Sequence, residues 1–503
     1  MLPAKTLFTL AAAGVLAAQG APSLAQRIAA RLRPNDLKAD VSFLASDALQ
    51  GRATPSPGLD MAAEYIAAQF RRAGLEPVGD DGYFQTANYQ YVKPDLQGLQ
   101  FTLGTARAAE GVVMINEAAA AELQNAPAFK VSLSNAASLD ALTADQVRGK
   151  VLMVELSPAP GAAGFQAQRR LMTLAAKLEP AMVVMVRGAA APGNPNVRPQ
   201  LRDAGQAVPK APILTVVDKA IFDALAAASP GPMEATVSAH VAAPVLQPVR
   251  IRNVVGLLRG SDAQLKDTYV VVTGHYDHLG VRPNPSGDNI YNGANDNATG
   301  CGILLELARV FAQASQRPRR SILFASVTAE EQGLLGSEYL GNRPPLPASK
   351  ISLDLNYDDI PPLGSPEEVD VSGSERTTFY KTVEATAKDF RLTIRPDAHP
   401  EAGHYYRSDH FSLARVGIPS FSINEGVKYK GHTEAWGLAK QEEFNTKHYH
   451  QPSDEYHPDM DFTGDGTMAR FGFALAWQAA MQPRLVGWER GDEFEAARLK
   501  GVQ

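Results

Sequence analysis

From Val249 onward, short apolar runs alternate with helical periodicity, and this alternation constrains the fold more than any other feature of the chain. Asn253–Leu258, Tyr269–Thr273, Ser321–Ser326, Leu353–Tyr357 and Ser420–Ile423 read as strands, the second a nearly continuous apolar run suited to burial on both faces. Gly302–Ala314 places Leu304, Leu305, Leu307, Ala308 and Phe311 at helical spacing. Strands alternating with helices predict an α/β fold with a mixed, largely parallel sheet flanked by helices. In such sheets the working groups sit on loops at the carboxyl ends of strands.

Five stretches at or near those positions carry metal-ligand residues: H-Y-D at His275–Asp277, N-D-N at Asn295–Asn297, A-E-E at Ala329–Glu331, N-Y-D-D at Asn356–Asp359 and Y-H-Q-P-S-D at Tyr449–Asp454. Two histidines and several carboxylates behind apolar runs are what a pair of zinc ions needs. In the consecutive glutamates, one can bind metal while its neighbour stays free to move a proton.

Taken alone, each stretch keeps a plain alternative. His275 ends a strand, where a histidine is commonly structural, and Asp277 could accept its second ring N–H. Asp296 could be a helix N-cap, and Glu330 and Glu331 a solvated helix start. His448 and His450 are two residues apart, so in an extended segment both face one side and spacing does not choose between them. Asp354 and Asp358 share strand parity in the same way, with Asp358 nearer the carboxyl end. His278, His404, His410, His432 and His457 read as surface or substrate-pocket residues rather than ligands.

The rest of the chain sets the frame. At 503 residues two domains are expected, and a 45% hydrophobic, 20% charged composition is that of a globular protein. A net charge of -6 with no basic stripe argues against nucleic acid as a partner. Lys5, the apolar stretch Leu7–Ala18 and the small residues Ser23-Leu24-Ala25 form the pattern of a secretory signal peptide spanning 1–25. No later stretch is long and apolar enough for a membrane helix, so a periplasmic or secreted protein without stable membrane insertion is expected. The single cysteine, Cys301, leaves no intramolecular disulfide.

Residues 34–75 read as helical, with Gly74 a plausible C-cap and the breaker-rich loop L-Q-G-R-A-T-P-S-P-G in between. Residues 91–245 differ in being rich in Ala and Pro, with one histidine, His240. Lys150–Glu155, Ala181–Val186, Ile213–Val217 and Ala235–Ala239 read as strands there, and Phe165–Lys177 and Lys219–Ala228 as helices. The expected division is 26–90 and 246–490 for the domain bearing the ligand stretches, with 91–245 a smaller mixed α/β insert.

Together and in this order, the G-H-Y-D-H loop, G-A-N-D-N-A-T-G, A-E-E-Q-G-L-L-G-S, R-S-D-H-F and Y-H-Q-P-S-D resemble the two-zinc exopeptidases that include bacterial leucine-type aminopeptidases. The insert resembles a protease-associated domain in G-K-V-L-M-V-E-L and V-P-K-A-P-I-L. The first resemblance implies two zinc ions. His275 and His450 each hold one, Asp296 bridges them, Glu331 joins His450 and Asp358 completes the set. It implies Glu330 as general base, Asp277 behind His275, Tyr449 as an oxyanion partner, and a cis peptide at Asp296–Asn297. Peptides are the implied substrates. Asp409 would meet a terminal amine, whereas Arg407 is the cation that a terminal carboxylate would require. Two other readings stay open. One is a glutaminyl cyclase, which shares the fold but uses one zinc; the other is a non-catalytic peptide-binding homologue. Oligomeric state is not legible.

Overall fold

The computed structural model describes residues 24–502 apart from 109–110, 118, 132, 134–138, 140, 157–166, 168–169, 172, 176, 189–199, 206–209, 283–286 and 398–402. Residues 1–23 of the expected signal peptide, and part of the expected helix Phe165–Lys177, lie outside these.

Ten elements position the site. Helices α1 (Pro34–Leu44) and α2 (Pro57–Ala73) precede strand β1 (Phe84–Lys93). Strands β2 (Val245–Leu258) and β3 (Tyr269–His275), helix α3 (Gly300–Ala312), and strands β4 (Ser321–Val327) and β5 (Ile351–Asn356) follow. A last short strand, β6 (Ser420–Ser422), closes the sheet, and helix α4 (Thr463–Met481) packs on it. Gly74 adopts the left-handed conformation at the C-cap of α2 with φ 75°, as its position suggests.

The strand order is β6-β5-β3-β4-β2-β1, with Gln200–Asp203 beyond β1. β4, β3, β5 and β6 run parallel, and β2 and β1 antiparallel. The expected α/β class with a mixed sheet is what the chain adopts. All seven residues of β3, and all seven of β4, are buried, which is why their sequences show no polar alternation. Helices α2, α3 and α4 cover one face and share a core with the sheet through Phe70, Phe311, Phe324 and Phe473. Because the four parallel strands end together, residues 275–278, 328–331, 357–359 and 423–425 emerge along one edge.

Eight strands drawn from between Gln100 and Val241 build a second sheet with its own apolar clusters, one of them around Val151, Val184, Leu214 and Val237. The chain leaves the first sheet through β1 and returns through β2, which pair from Phe84↔Val254 to Lys93↔Val245. One strand departs from the expected division. Gln200–Asp203, inside 91–245, pairs antiparallel with β1 and so lengthens the first sheet. Its sequence Q-L-R-D has a single apolar residue and gives no strand signal on its own. Among the described residues, no helix is long and apolar enough to cross a membrane.

Candidate metal centre

His275 is the last residue of β3 and is buried. Its Nε2 lies 3.2 Å from Asp296 Oδ1 and 3.1 Å from Asp358 Oδ1. A second group mirrors the first. His450 Nε2 lies 3.2 Å from the other oxygen of Asp296, Oδ2, and 3.3 Å from Glu331 Oε2. Asp296 therefore gives one oxygen to each histidine. Ligands about 2.0–2.1 Å from a tetrahedral zinc stand about 3.3 Å apart, so both groups have the spacing that such an ion requires. The donor chemistry fits too. Asp277, Asp296, Glu330, Glu331, Asp358 and Asp454 gather in a largely buried space, and that much negative charge is costly there without bound cations.

The loops that carry these groups are unusual in backbone as well as in sequence. Gly293, with φ 62°, opens the Asp296 loop, and a Cβ there would stand 2.2 Å from Asp296 O and 2.5 Å from His278 Cγ. Only glycine fits. The Asp296–Asn297 peptide is cis, as the resemblance implies. Ala329, Asp359 and His450 adopt left-handed conformations with φ of 54°, 57° and 57°, each at a cost of roughly 1–3 kcal/mol for a non-glycine residue. Such costs are borne where side chains must be aimed.

Electrostatics divide the carboxyls. Burial works to raise the Asp296 carboxyl, but His278, His275 and His450 hold it well below the usual range. Burial and Asp296 push the Glu331 carboxyl up, while His278 and His450 outweigh them and pull it down to about 2. Glu330 goes the other way. Burial raises it well above the ordinary carboxyl value, helped by Asp358, Asp409 and Glu331 and opposed by His275. The adjacent glutamates thus differ: Glu331 is ionised against histidines, and Glu330 holds a proton readily.

His275, Asp296, Glu331, Asp358 and His450, the five ligand candidates, are brought together. Asp358 Oδ2 accepts from Ser408 Oγ at 2.5 Å, whereas Asp354 lies away from both groups, fully buried, with Oδ1 accepting from Thr273 Oγ1 at 3.0 Å. His448 is kept out: its Nδ1 lies 2.9 Å from Ser453 Oγ on the surface. Spacing alone could not separate this pair because the segment is not extended; Phe444–His448 forms a helical turn and His450 is left-handed. Asp277 does not take the imidazole proton on its carboxylate, which is 3.7 Å from His275 Nδ1. The ring nitrogen meets the Asp277 carbonyl at 3.2 Å, and the carboxylate Oδ1 accepts from Glu330 N at 3.1 Å.

The Tyr449 ring stacks on His450 at 3.9 Å and is 42% exposed. Asp409 is fully buried, its carboxyl pushed up to about 7 by burial. Arg407 is exposed.

Two residues were missed. His278, expected at the surface or in a pocket, is buried with its Nδ1 2.7 Å from Glu331 Oε1. Its signal was a second histidine one helical turn past His275, in a loop that leaves a buried strand. His410 is buried as well, behind Tyr405. Arg52 is the other missed residue. It donates from Nε to Tyr276 O at 2.8 Å, from Nη1 to Asn292 O at 2.7 Å and from Nη2 to Gly293 O at 2.9 Å. Nη1 also reaches Leu44 O. One buried guanidinium therefore ties the His275 loop to the Asp296 loop, a task that its fixed fork of donors suits. The sequence L-Q-G-R-A-T-P gave no hint beyond its breakers.

Residues 253–472 match the model of peptidase family M28. A probable zinc metalloprotease of Leptosphaeria maculans is 39% identical over 135 residues, 26% of this chain and 30% of that protein. Leupeptin-inactivating enzyme 1 of Streptomyces exfoliatus is 31% identical over 173 residues, 33% of this chain and 38% of that protein. The chain thus spans well under half the length of these relatives. Among solved structures, an aminopeptidase from Aneurinibacillus sp. strain AM-1 superposes with a TM-score of 0.56 at 18% identity, covering 93% of this chain and 99% of that one. A peptidase M28 precursor from Shewanella amazonensis gives 0.50 at 15% identity, covering 92% and 98%. At these identities the likeness is one of fold.

Proposed function

We propose that the chain is a zinc-dependent aminopeptidase with two metal ions per chain. The observation that carries this reading is Asp296, whose two carboxylate oxygens each lie 3.2 Å from a different histidine, His275 and His450. One carboxylate shared between two donor sets has its natural use in bridging two ions. His275, Asp296 and Asp358 would hold one, and His450, Asp296 and Glu331 the other. The names of the M28 relatives, a zinc metalloprotease among them, support zinc.

Bound zinc supplies Lewis acidity that makes a water a nucleophile near neutral pH. Glu330 would take a proton from an attacking water and pass it to the leaving amine, a role that a carboxyl raised well above its usual range suits. Tyr449, beside His450, donates to the developing oxyanion. A terminal amine, partly cationic at neutral pH, is drawn to this acid-rich site, so single N-terminal residues are released from peptides. We also read residues 91–245 as an inserted protease-associated unit, supported by its separate sheet and core. The N-terminal pattern supports export to the periplasm or the medium.

The test is a panel of fluorogenic aminoacyl substrates, free and N-acetylated, run with and without chelator, alongside metal analysis. Two zinc ions per chain and chelator-sensitive cleavage of free substrates alone are expected. Equal cleavage of acetylated substrates would overturn the aminopeptidase reading. One zinc with cyclisation of N-terminal glutamine would replace it with a glutaminyl cyclase, and zinc without turnover would leave a binding protein.

A further inference from the structure

The metal carboxylates are each held at both ends. Asp358 turns Oδ1 to His275 and receives Ser408 Oγ on Oδ2 at 2.5 Å. Glu331 turns Oε2 to His450 at 3.3 Å and has His278 Nδ1 2.7 Å from Oε1. His278 thus occupies at one group the place that Ser408 occupies at the other.

Distance separates a co-ligand from a holder. Two ligands of one tetrahedral zinc stand about 3.3 Å apart, which His450 and Glu331 Oε2 match. At 2.7 Å, His278 Nδ1 and Oε1 are closer than two ligands of one ion and stand as a buried ion-pair contact, from which a small turn of the ring would aim Nδ1–H at Oε1. Asp296 Oδ2, at 3.7 Å, is too far to compete for the same proton. The 2.7 Å contact with Glu331 Oε1 is a close ion-pair approach rather than an aligned hydrogen bond, and neither ring nitrogen of His278 has another hydrogen-bond partner among the described residues.

The ring is fixed from behind. The backbone N–H of His278 donates to Arg52 O at 3.1 Å, and Ala53 bridges to the same residue. On the other side Gly293 leaves the room that the ring fills, since a Cβ there would stand 2.5 Å from Cγ. The imidazole is buried, with little freedom to face anything but Glu331.

We propose that His278 is a positioning residue for the second metal: its Nδ1–H holds Oε1 of Glu331, so that Oε2 stays aimed at the point shared with His450 and Asp296. This rests on the two-metal reading above. Groups that orient metal-bound carboxylates are worth about 10–100-fold in metal affinity.

The test compares His278→Asn with His278→Gln. Asparagine keeps an amide donor close to the place of Nδ1, whereas glutamine carries its donor out towards the place of Nε2. Zinc is titrated into the metal-free full-length protein against a chromophoric chelator, and the Co2+ absorption spectrum reports the ligand set independently of turnover. In the unmutated chain two binding steps are expected. His278→Gln should weaken one step about 10–100-fold with the other nearly unchanged, and His278→Asn should stay within about threefold of the parent at both. Ser408→Ala should weaken the opposite step. If the asparagine and glutamine variants behave alike, or both steps fall together, His278 has no positioning role. A single binding step in the unmutated protein would instead sink the two-metal reading itself.

Discussion

The carboxylate of Asp454 accepts the backbone N–H of Asp296 at 3.1 Å with one oxygen and that of Asn295 at 2.9 Å with the other. The Asp454 carbonyl accepts from Ala294 N at 3.1 Å as well. Asp454 lies four residues past His450, so it fastens the segment carrying one histidine to the loop carrying the shared carboxylate. The two metal groups are thereby set at one spacing. Asp454→Asn keeps the shape but turns an amide N–H₂ towards a backbone N–H, leaving a buried donor unsatisfied at about 1–3 kcal/mol. Zinc retained after dialysis against a zinc buffer should fall to match an affinity loss of about 10–100-fold, with a lower melting temperature. Unchanged zinc content would show that the clasp is not needed for the site.

The adjacent glutamates should separate cleanly. Glu331 lies against His450 and His278, and Glu330 lies near neither, its backbone N–H held by Asp277. Glu330→Gln should therefore keep its metal while turnover falls by about two to four powers of ten. Glu331→Gln should lose zinc along with activity. Metal analysis beside kcat decides the matter, and equal zinc loss in both variants would refute the division of roles.

Much of this site is legible in the sequence because its parts sit where strands end. The apolar runs of β3, β4 and β5 can be read directly, and each delivers a reactive group at or just past its carboxyl end: His275, the pair Glu330-Glu331, and Asp358. Local spacing could not choose His450 over His448, since the choice is made by a left-handed residue that no period describes. Nor could it find Arg52, whose partners Asn292 and Gly293 are some 240 positions away in the chain and are backbone carbonyls without side-chain identity. The strand Gln200–Asp203 was missed for a related reason. It is held by pairing with β1 rather than by an apolar face of its own.

Asp354 and Asp358 offer a test of that strand-end logic. Asp358 meets His275 Nε2 at 3.1 Å, and Asp354, four residues earlier on the strand, meets only Thr273 Oγ1. Burial raises the Asp354 carboxyl well above its usual value, which favours the protonated form that an amide resembles. Asp354→Asn should alter stability by no more than about 1 kcal/mol, since its oxygen still accepts from Thr273. Asp358→Asn should strip one zinc. Urea melts and metal analysis on the pair are decisive, and zinc loss from Asp354→Asn alone would reverse the assignment.

Acid sensitivity should trace in part to His410. The ring is buried edge-on to Tyr405 at 4.6 Å, and burial, reinforced by the Arg376 guanidinium, lowers it from 6.5 to about 3, with a Tyr405 backbone contact opposing. The histidine is therefore neutral when folded and titrates normally when unfolded. Above pH 6.5 neither state takes the proton and there is no penalty. As pH falls from 6.5 towards 3, the unfolded chain binds a proton that the folded one refuses, and stability drops by as much as on the order of 4 kcal/mol. Several carboxyls also titrate in this window, so the parent curve alone cannot isolate one ring. The difference between the parent and His410→Gln can. Glutamine costs some packing at every pH, but the gap between the two proteins should narrow steadily from pH 7.5 to pH 4 in urea melts. Parallel curves over that range would show that His410 protonation is not coupled to unfolding.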